Sequence, residues 1–268
     1  MPDPVLLDRP HPGVTRITFN RPDRLNAIDD ALLTALYAAF DEVNDDSSCR
    51  SVVLTGAGRG FCAGLDLKSG AGPAPGSEGM GPVPAMMLVQ QRIANLITRM
   101  RTVRKPIIAA VNGPAAGGGL ALVLGSDVRL AGASARFNAA FVRIGLSGCD
   151  VSVSWLLPRL VGAGPAHLMM LTGRLIPADE AYRIGLVAEA VPDEALMEAA
   201  FSVADEIAAN SPFGVWMTKE VMWSSLETSQ QAAVDLENRT QILAAQTADA
   251  AAQQRAFLTK TTAEYHWK

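Results

Sequence analysis

The stretch VNGPAAGGGLAL, residues 111–122, follows an apolar run and places three consecutive glycines where a helix is expected to begin. Glycine is unfavourable inside helices, so a run of three needs a local reason. The first amides of a helix have no partner within it, and glycine lets another group approach the backbone closely. Alone, the run is explained equally well by a tight turn from strand to helix and by a backbone donor site.

A second glycine-rich turn, AGRGFCAGLDL at 57–67, follows another apolar run, SVVLTG at 51–56. In both places small residues stand where a strand is expected to end and a helix to begin. Two such turns on successive strands can present a pair of backbone N–H groups to one point. Such a pair stabilises an oxyanion, typically the enolate or tetrahedral oxygen of an acyl derivative. Together the turns therefore favour an oxyanion-binding site.

Three other glycine motifs do not fit. A dinucleotide fingerprint needs G-x-G-x-x-G, but GAGRGF places Phe61 at the last position, and GAGPAH at 162–167 follows a helical pattern rather than a strand. A phosphate-binding loop needs Gly-Lys-Ser or Gly-Lys-Thr, and a nucleophile elbow needs G-x-S-x-G; the chain contains neither. The oxyanion interpretation remains, and an NAD-binding oxidoreductase is not expected.

Short apolar runs that end at turns alternate with helical patterns along most of the chain. The runs are 14–22, 51–60, 106–114, 126–132 and 185–192. Strands that alternate with helices indicate an α/β layered domain.

Helices are predicted after a cap at Asp29, over about 86–103 and over 176–185. From Asp193 onward the pattern is nearly all helical. We therefore predict an α/β core over 1–192 and a C-terminal helical subdomain over 193–268.

One segment, SGAGPAPGSEGMGPVP at 69–84, is rich in glycine and proline and is predicted to form neither helix nor strand. Long irregular segments inside compact domains are commonly lids, binding loops or disordered insertions. A substrate lid and a flexible surface insertion are both open interpretations.

The composition argues against several kinds of partner. The 268 residues carry a net charge of -4 with scattered basic residues, whereas a nucleic-acid surface needs a clustered basic face. No apolar run reaches membrane-spanning length without interruption, and the N-terminus does not resemble a secretory signal. The three cysteines have no paired spacing, which suits a reducing compartment, and no His/Cys cluster suggests a metal site. We expect a soluble cytoplasmic protein that binds no nucleic acid, membrane or metal.

The densest basic segment is RMRTVRK at 99–105. It either meets a phosphate-bearing ligand or forms the solvated C-terminal end of a helix, where cations are favourable. We favour the second interpretation.

At the two glycine turns and around them, the chain resembles the crotonase superfamily, the enoyl-CoA hydratase/isomerase family. The matching segments are ITFNRPDRLNAI (17–28), VVLTGAGRGFCAGLDL (52–67), KPIIAAVNGPAAGGGLALVLGSDVRLA (105–131), LLPRLVG (156–162) and LTGRLIPADEAYRIGLVAEAVP (171–192). The resemblance covers roughly residues 5–260. It implies a spiral of ββα turns with a C-terminal helical trimerisation region, a homotrimer or hexamer, and a coenzyme A thioester as ligand. It implies no cofactor beyond the CoA moiety of that substrate.

The resemblance also implies roles for the two turns. The backbone N–H groups of Leu65 and of Gly118, the middle glycine of the three, would bind the thioester oxygen and stabilise an enolate. The CoA moiety would lie along two neighbouring segments, with Lys68 or Arg24 meeting its phosphates. The binding residues implied in this way are Arg24, Leu25, Asn26, Ala27, Ala63, Gly64, Asp66, Leu67, Lys68 and Gly117.

The chain departs from the family's hydratases at the residues that move protons. In those enzymes one glutamate stands two residues after the glycine run and another stands four residues before the glycine of the next loop. Here these places hold Ala121 and Phe141, and neither can transfer a proton. One carboxylate, Asp150, falls where several family members carry a functional aspartate. Asp150 is the predicted acid/base, and capping of a helix that starts near Ser152 is the alternative.

Two classes of function follow from the resemblance. The first is an acyl-CoA enzyme, in which a single carboxylate makes double-bond isomerisation chemically easier than hydration, while thioester hydrolysis stays open. The second is a non-catalytic acyl-CoA binder that kept the oxyanion donors and lost the acid/base pair. Turnover of a CoA ester separates the two.

Overall fold

The computed structural model describes residues 2–267. The strands are β1 (Val5–His11), β2 (Val14–Phe19), β3 (Ser51–Gly56), β4 (Ile107–Val111), β5 (Pro114–Ala116), β6 (Val128–Gly132), β7 (Arg136–Asn138), β8 (Ile176–Pro177) and β9 (Glu189–Val191). The helices are α1 (Asp30–Asp45), α2 (Pro82–Thr102), α3 (Gly118–Gly125), α4 (Val153–Val161), α5 (Ala163–Thr172), α6 (Ala178–Arg183), α7 (Leu196–Ala208), α8 (Pro212–Ser224), α9 (Gln230–Ala245) and α10 (Ala248–Thr259).

Two sheets organise the fold. The larger has the order β1-β2-β3-β4-β6-β9, with β1 antiparallel to β2 and the other neighbours parallel. The smaller sheet has the order β5-β7-β8. After β4 in the large sheet, the chain forms β5 in the small sheet and then α3. The same order recurs with β6 in the large sheet, β7 in the small sheet and α4. This is a spiral of ββα turns, and the predicted α/β fold is confirmed.

All five predicted runs contain a strand of the large sheet, but the connection after β3 differs from the prediction. No helix begins at the glycine turn 57–67; residues 57–81 are turns and loop, and α2 begins only at Pro82. The predicted irregular segment 69–84 therefore ends at residue 81, since proline suits the first turn of a helix. Its first part is packed, with Ala71 and Ala74 buried, which a loosely attached insertion would not need.

The start of α1 agrees with the sequence-based prediction, whereas the apolar face predicted for α2 is longer than the part that is buried. Asp29 caps α1, with its Oδ1 accepting the Leu32 N–H at 2.9 Å, as the sequence predicts. In α2 the buried residues lie in the second half of the helix. Met86, which its spacing places on the face of Ile93 and Met100, is 70% exposed. The apolar periodicity thus extends beyond the part of α2 that the core covers.

The large sheet is covered on both faces. Val52 on β3 joins the main core, whereas Val53 points to the other face and packs with Leu196, Ala200 and Ala204 of α7. Parallel strands buried on both faces read as continuous apolar runs, which explains the sequence of β3 and β4. The helical region after residue 192 therefore begins by completing the layers around the sheet.

The basic segment 99–105 holds the C-terminal helices against the core. The Arg101 guanidinium lies 4.6 Å from the ring centroid of Trp223 on α8. The buried Lys219 Nζ, also on α8, donates to the Lys105 carbonyl at 2.9 Å. Lys105 is itself only 4% exposed, so the expectation of a solvated helix end is wrong for this residue.

None of the helices in residues 2–267 combines the length and the apolar character that crossing a bilayer requires.

Candidate active site

The two glycine turns lie side by side because β3 and β4 are parallel neighbours and so end at the same edge of the sheet. Beyond that edge the turns pair directly. The Cys62 N–H donates to the Pro114 carbonyl at 3.1 Å, and the Ala116 N–H donates to the Cys62 carbonyl at 3.0 Å. The two turns form one hydrogen-bonded unit.

The glycines of the run 117–119 differ in what they do. Gly117 has a φ of +51°, in the left-handed region that glycine enters without steric cost, and its N–H donates to the Asn138 carbonyl at 3.0 Å. A Cβ on Gly119 would stand 2.0 Å from the Cys62 carbonyl oxygen, so no larger residue fits. Gly118 lies between them as the first residue of α3.

The backbone amides of Leu65 and Gly118 have no acceptor among the described residues. The residues on either side of Leu65 bond to Ile28. The Ile28 N–H donates to the Gly64 carbonyl at 2.7 Å, and the Asp66 N–H donates to the Ile28 carbonyl at 2.8 Å. A Cβ on Gly64 would lie 3.3 Å from the Gly118 nitrogen, and one on Gly118 would lie 3.9 Å from the Leu65 nitrogen. Two unpaired donors therefore border one small space, an arrangement that can bind one anionic oxygen.

Two asparagine side chains hold the 57–67 turn in place. Asn26, fully buried, donates through Nδ2 to two carbonyl oxygens of this turn at 3.0 and 2.7 Å. Asn112 donates through Nδ2 to the carbonyls of Gly56 and Gly58 at 2.8 and 2.9 Å. Sequence reasoning missed the role of Asn112; its place directly before Gly113, at the start of the turn that holds the glycine run 117–119, is the signal that could have found it.

The two segments that the resemblance assigns to CoA are adjacent. The Ala63 N–H donates to the Leu25 carbonyl at 2.9 Å. Leu25 has a φ of +50°, which turns the chain sharply before α1. Ala27 and Gly64 are buried, while Leu25 and Ala63 are half-buried. These four residues therefore form a packed backbone surface rather than a set of projecting side chains.

Of the charged side chains in these segments, Asp66 has hydrogen-bond partners, whereas Arg24 and Lys68 have no ion-pair partner among residues 2–267. The Asp66 carboxylate accepts the Lys68 backbone N–H at 3.0 Å and Arg21 Nη2 at 3.1 Å. Both hydrogen bonds lower the pKa of the Asp66 carboxyl group, and the bond from the Lys68 N–H has the larger effect. The side chains of Arg24 and Lys68 are exposed and have no ion pair within residues 2–267, and Leu67 beside them is 69% exposed.

Two buried hydrocarbon side chains stand on α3 and beside the glycine run. Ala121, one turn into α3, is fully buried, and its N–H donates to the Gly117 carbonyl at 3.0 Å. Phe141 is 8% exposed, and a Cβ on Gly117 would lie 3.4 Å from its Cε1 atom. The two places where hydratases of the resembled family carry glutamates therefore hold buried groups without exchangeable protons.

Asp150 lies half-buried on the loop before α4. Its Oδ1 accepts the Val151 N–H at 2.8 Å and the side-chain amide of Gln90 on α2. The N-cap of α4 is Ser152, with no side chain capping the helix, so the alternative that the Asp150 carboxylate caps this helix is wrong. Earlier in the same loop, the Leu146 N–H donates to the carbonyl of Phe141 at 3.0 Å, and the ring of Phe141 lies beside Gly117.

Cys62, beside the donors, is fully buried. Burial raises the pKa of its thiol to about 12, so it stays neutral and acts in packing. In the described part of the chain, no group of three His, Cys, Asp or Glu side chains is placed to hold a metal ion.

The sequence matches a known family over nearly the whole chain. The family model described as "Enoyl-CoA hydratase/isomerase" matches residues 9–268. The chain belongs to the enoyl-CoA hydratase/isomerase family.

Individual members of the family resemble the chain closely. It is 43% identical over 225 residues to the "Probable enoyl-CoA hydratase EchA12" of Mycobacterium tuberculosis, over 84% of this chain and 79% of the relative. It is 36% identical over 264 residues to the "1,2-epoxyphenylacetyl-CoA isomerase" of Escherichia coli, over 98% of each chain. The crystal structure of a "probable enoyl-CoA hydratase/isomerase" from Mycobacterium abscessus superposes with a TM-score of 0.92 at 36% identity, over 98% of each chain.

As an enoyl-CoA hydratase/isomerase, the protein is an enzyme of acyl-CoA chemistry. The relatives carry both hydratase and isomerase names, so family membership leaves the reaction open. The distinction has to come from the residues at the positions where proton transfer is expected, Ala121, Phe141 and Asp150.

Proposed function

We propose that this enzyme isomerises a CoA thioester by moving one proton, with Asp150 as the acid/base, and does not add water. One observation carries the proposal: the amides of Leu65 and Gly118 are unpaired, while Ala121 on the helix that Gly118 begins and Phe141 beside Gly117 are both buried hydrocarbon. Donors for an oxyanion are present, and both glutamates that the family's hydratases use are replaced by hydrocarbon.

In the proposed reaction the Asp150 carboxylate takes a proton from the carbon that lies between the thioester carbonyl and the double bond of the acyl chain. The electron pair of the broken C–H bond delocalises into the thioester carbonyl, and the resulting dienolate carries its charge on oxygen. The N–H groups of Leu65 and Gly118 donate to that oxygen. Protonated Asp150 then returns the proton to a different carbon. The double bond moves, no water is consumed, and Asp150 regains its starting state.

Hydration demands more of the site. A water molecule must lose a proton while another proton reaches the neighbouring carbon. Ala121 and Phe141 are 0% and 8% exposed and offer neither a base nor a hydrogen-bond partner for that water. Isomerisation needs only one group that works in both directions, which a single carboxylate supplies.

The CoA moiety is proposed to follow segments 24–28 and 63–68. The unpaired cations of Arg24 and Lys68 suit its phosphates, since a flexible exposed cation can meet an anion without leaving an existing partner. Asp66, already engaged by Arg21 and by the Lys68 N–H, is proposed to hold the loop in shape beneath the ligand.

The acyl group is proposed to be apolar and to lie on α2. Val83, Met86 and Met87 share one face of this helix with Gln90, at the spacing i, i+3, i+4 and i+7, and the first three are 75%, 70% and 55% exposed. Because Gln90 contacts Asp150, this apolar surface begins beside the proposed acid/base. The E. coli relative is named for a phenylacetyl ester, which is an acyl group of this character.

A panel of CoA esters tests the reaction. A 3-enoyl-CoA is expected to be converted to the conjugated 2-enoyl ester, followed by its ultraviolet absorbance, while crotonyl-CoA gives no 3-hydroxyacyl product by chromatography. Appearance of the hydroxyacyl ester would contradict the isomerase proposal. Tight binding without turnover of any ester would favour a non-catalytic binder, and failure to bind any of them would overturn the assignment of a CoA ligand.

The C-terminal helices are proposed to join three or six copies of the chain. α9 buries none of its residues within one chain, and it exposes Ile242 and Leu243 at 64% and 57%. On α10, Phe257 and Leu258 are 82% and 80% exposed, and an open cleft of about 940 Å³ lies between α8 and α9. Contiguous exposed apolar surface marks protein–protein contacts.

Sedimentation velocity tests the assembly. The wild-type chain is expected to sediment as three or six copies, and the double variant Phe257→Glu with Leu258→Glu as a single copy. Arg255→Glu, on the same helix, changes the net charge by the same amount without removing apolar surface, so it should leave the assembly intact. A monomeric wild-type chain would refute the proposal.

A further inference from the structure

The two oxygens of the Asp150 carboxylate differ in their surroundings. Oδ1 accepts two hydrogen bonds, from the Val151 backbone N–H at 2.8 Å and from the side-chain amide of Gln90. Oδ2 has no partner among the described residues. The carboxylate is therefore held by one oxygen, and the other is available for chemistry.

The backbone around Asp150 is constrained in an uncommon way. The next two residues, Val151 and Ser152, have φ values of +39° and +69°, and neither is glycine. Left-handed conformations are unfavourable for such residues, above all for a β-branched valine, and they persist where surrounding contacts impose them. The Val153 N–H donates to the Asp150 carbonyl at 2.8 Å and closes this turn.

A fixed backbone does not by itself fix a carboxylate, because rotation about the side-chain bonds can still change where Oδ2 points. The Val151 N–H comes from the adjacent peptide and moves with Asp150. Gln90 is the side chain from another element that contacts this carboxylate within residues 2–267, and it belongs to α2, 60 residues away along the chain. Gln90 therefore contacts the carboxylate from an element that is independent of the loop that carries Asp150.

We infer that Gln90 is a positioning residue, which holds Oδ1 of Asp150 so that Oδ2 faces the carbon that loses or gains the proton. The inference rests on the proposed role of Asp150 as the acid/base. Gln90 also ends the apolar face formed by Val83, Met86 and Met87, so the helix that carries the surface proposed for the acyl group also contacts the proposed catalytic carboxylate. A neutral amide donor suits this role, because it can hold Oδ1 both before and after Oδ2 is protonated.

The test replaces Gln90 with methionine, which has a similar length and no donor, and uses the neighbouring exposed Gln91 as a matched control. For a 3-enoyl-CoA, Gln90→Met is expected to lower kcat by about 10- to 100-fold, the scale of loss that misplacing a catalytic group by about 1 Å produces, with KM unchanged. Gln91→Met should keep wild-type kcat. Equal thermal unfolding midpoints for the three proteins would show that the loss is not one of folding.

A double-variant cycle separates positioning from a general structural effect. In an Asp150→Asn background, Gln90→Met is expected to cause no further loss, because its only effect is exerted through the carboxylate. A further loss as large as in the wild-type background would overturn the inference. If Asp150→Asn is inactive and Gln90→Met retains full kcat, the inference fails while the proposed function stands. If Asp150→Asn itself retains full turnover, the proposed function fails and the inference fails with it.

Discussion

Replacing Asp150 with asparagine is expected to lower kcat for a 3-enoyl-CoA by about 10²- to 10⁴-fold, the contribution of a positioned acid/base. Asparagine has nearly the same size, and its amide oxygen can still accept the Val151 N–H that Oδ1 accepts now. It cannot take a proton from carbon. KM should change little, because the thioester oxygen and the CoA moiety are proposed to be bound by other residues. Steady-state kinetics measure both quantities.

Controls for this variant are a wild-type thermal unfolding midpoint and wild-type affinity for a saturated acyl-CoA. Asp179→Asn, which removes a carboxylate from the exposed surface of α6, provides a matched loss of charge and should retain full kcat. Undiminished turnover by Asp150→Asn would move the acid/base to another group. Glu78, in the irregular segment before α2, would then be the next residue to replace.

The parts of the fold that follow from short-range pattern were predictable. The cap of α1 at Asp29 depends on a bond to Leu32, three residues away. Each apolar run of the large sheet is bounded by its own turn. The adjacency of the two glycine turns also followed, since successive parallel strands that are neighbours end at one edge of a sheet.

The parts that depend on distant elements were not predictable in this way. The contacts of Gln90 with Asp150 and of Asn112 with Gly56 join residues that are 60 and 56 positions apart. The place of Asn112 before the glycine run marks it as a turn residue, but it does not indicate that Gly56 is its partner, and nothing local to Gln90 indicates Asp150. The exposure of Met86 was missed for a related reason: periodicity shows that a helix has an apolar face, but only the tertiary structure shows how far the core extends along it.

The backbone donors call for a different kind of variant, because no side-chain truncation removes an N–H group. Gly118→Pro does so at a position where proline is tolerated, since the first residue of a helix has no intrahelical partner for its N–H. The preceding Gly117 has no Cβ to meet the proline ring. With one donor of the pair lost, kcat for a 3-enoyl-CoA is expected to fall by about 10²- to 10³-fold. Steady-state kinetics and thermal unfolding would be measured together.

Gly118→Ala is the matched control, because alanine adds a Cβ and keeps the N–H. That Cβ would lie 3.4 Å from Ile28 Cδ1 and 3.9 Å from the Leu65 nitrogen, which neighbouring atoms accommodate with little movement. Alanine is therefore expected to retain most of the activity that proline loses. Equal losses in both variants would show that the space beside Leu65, rather than the amide of Gly118, is what the glycine provides. A loss confined to proline would show that the Gly118 amide, with its hydrogen facing open space, is what the site requires, since proline replaces that hydrogen with its ring Cδ.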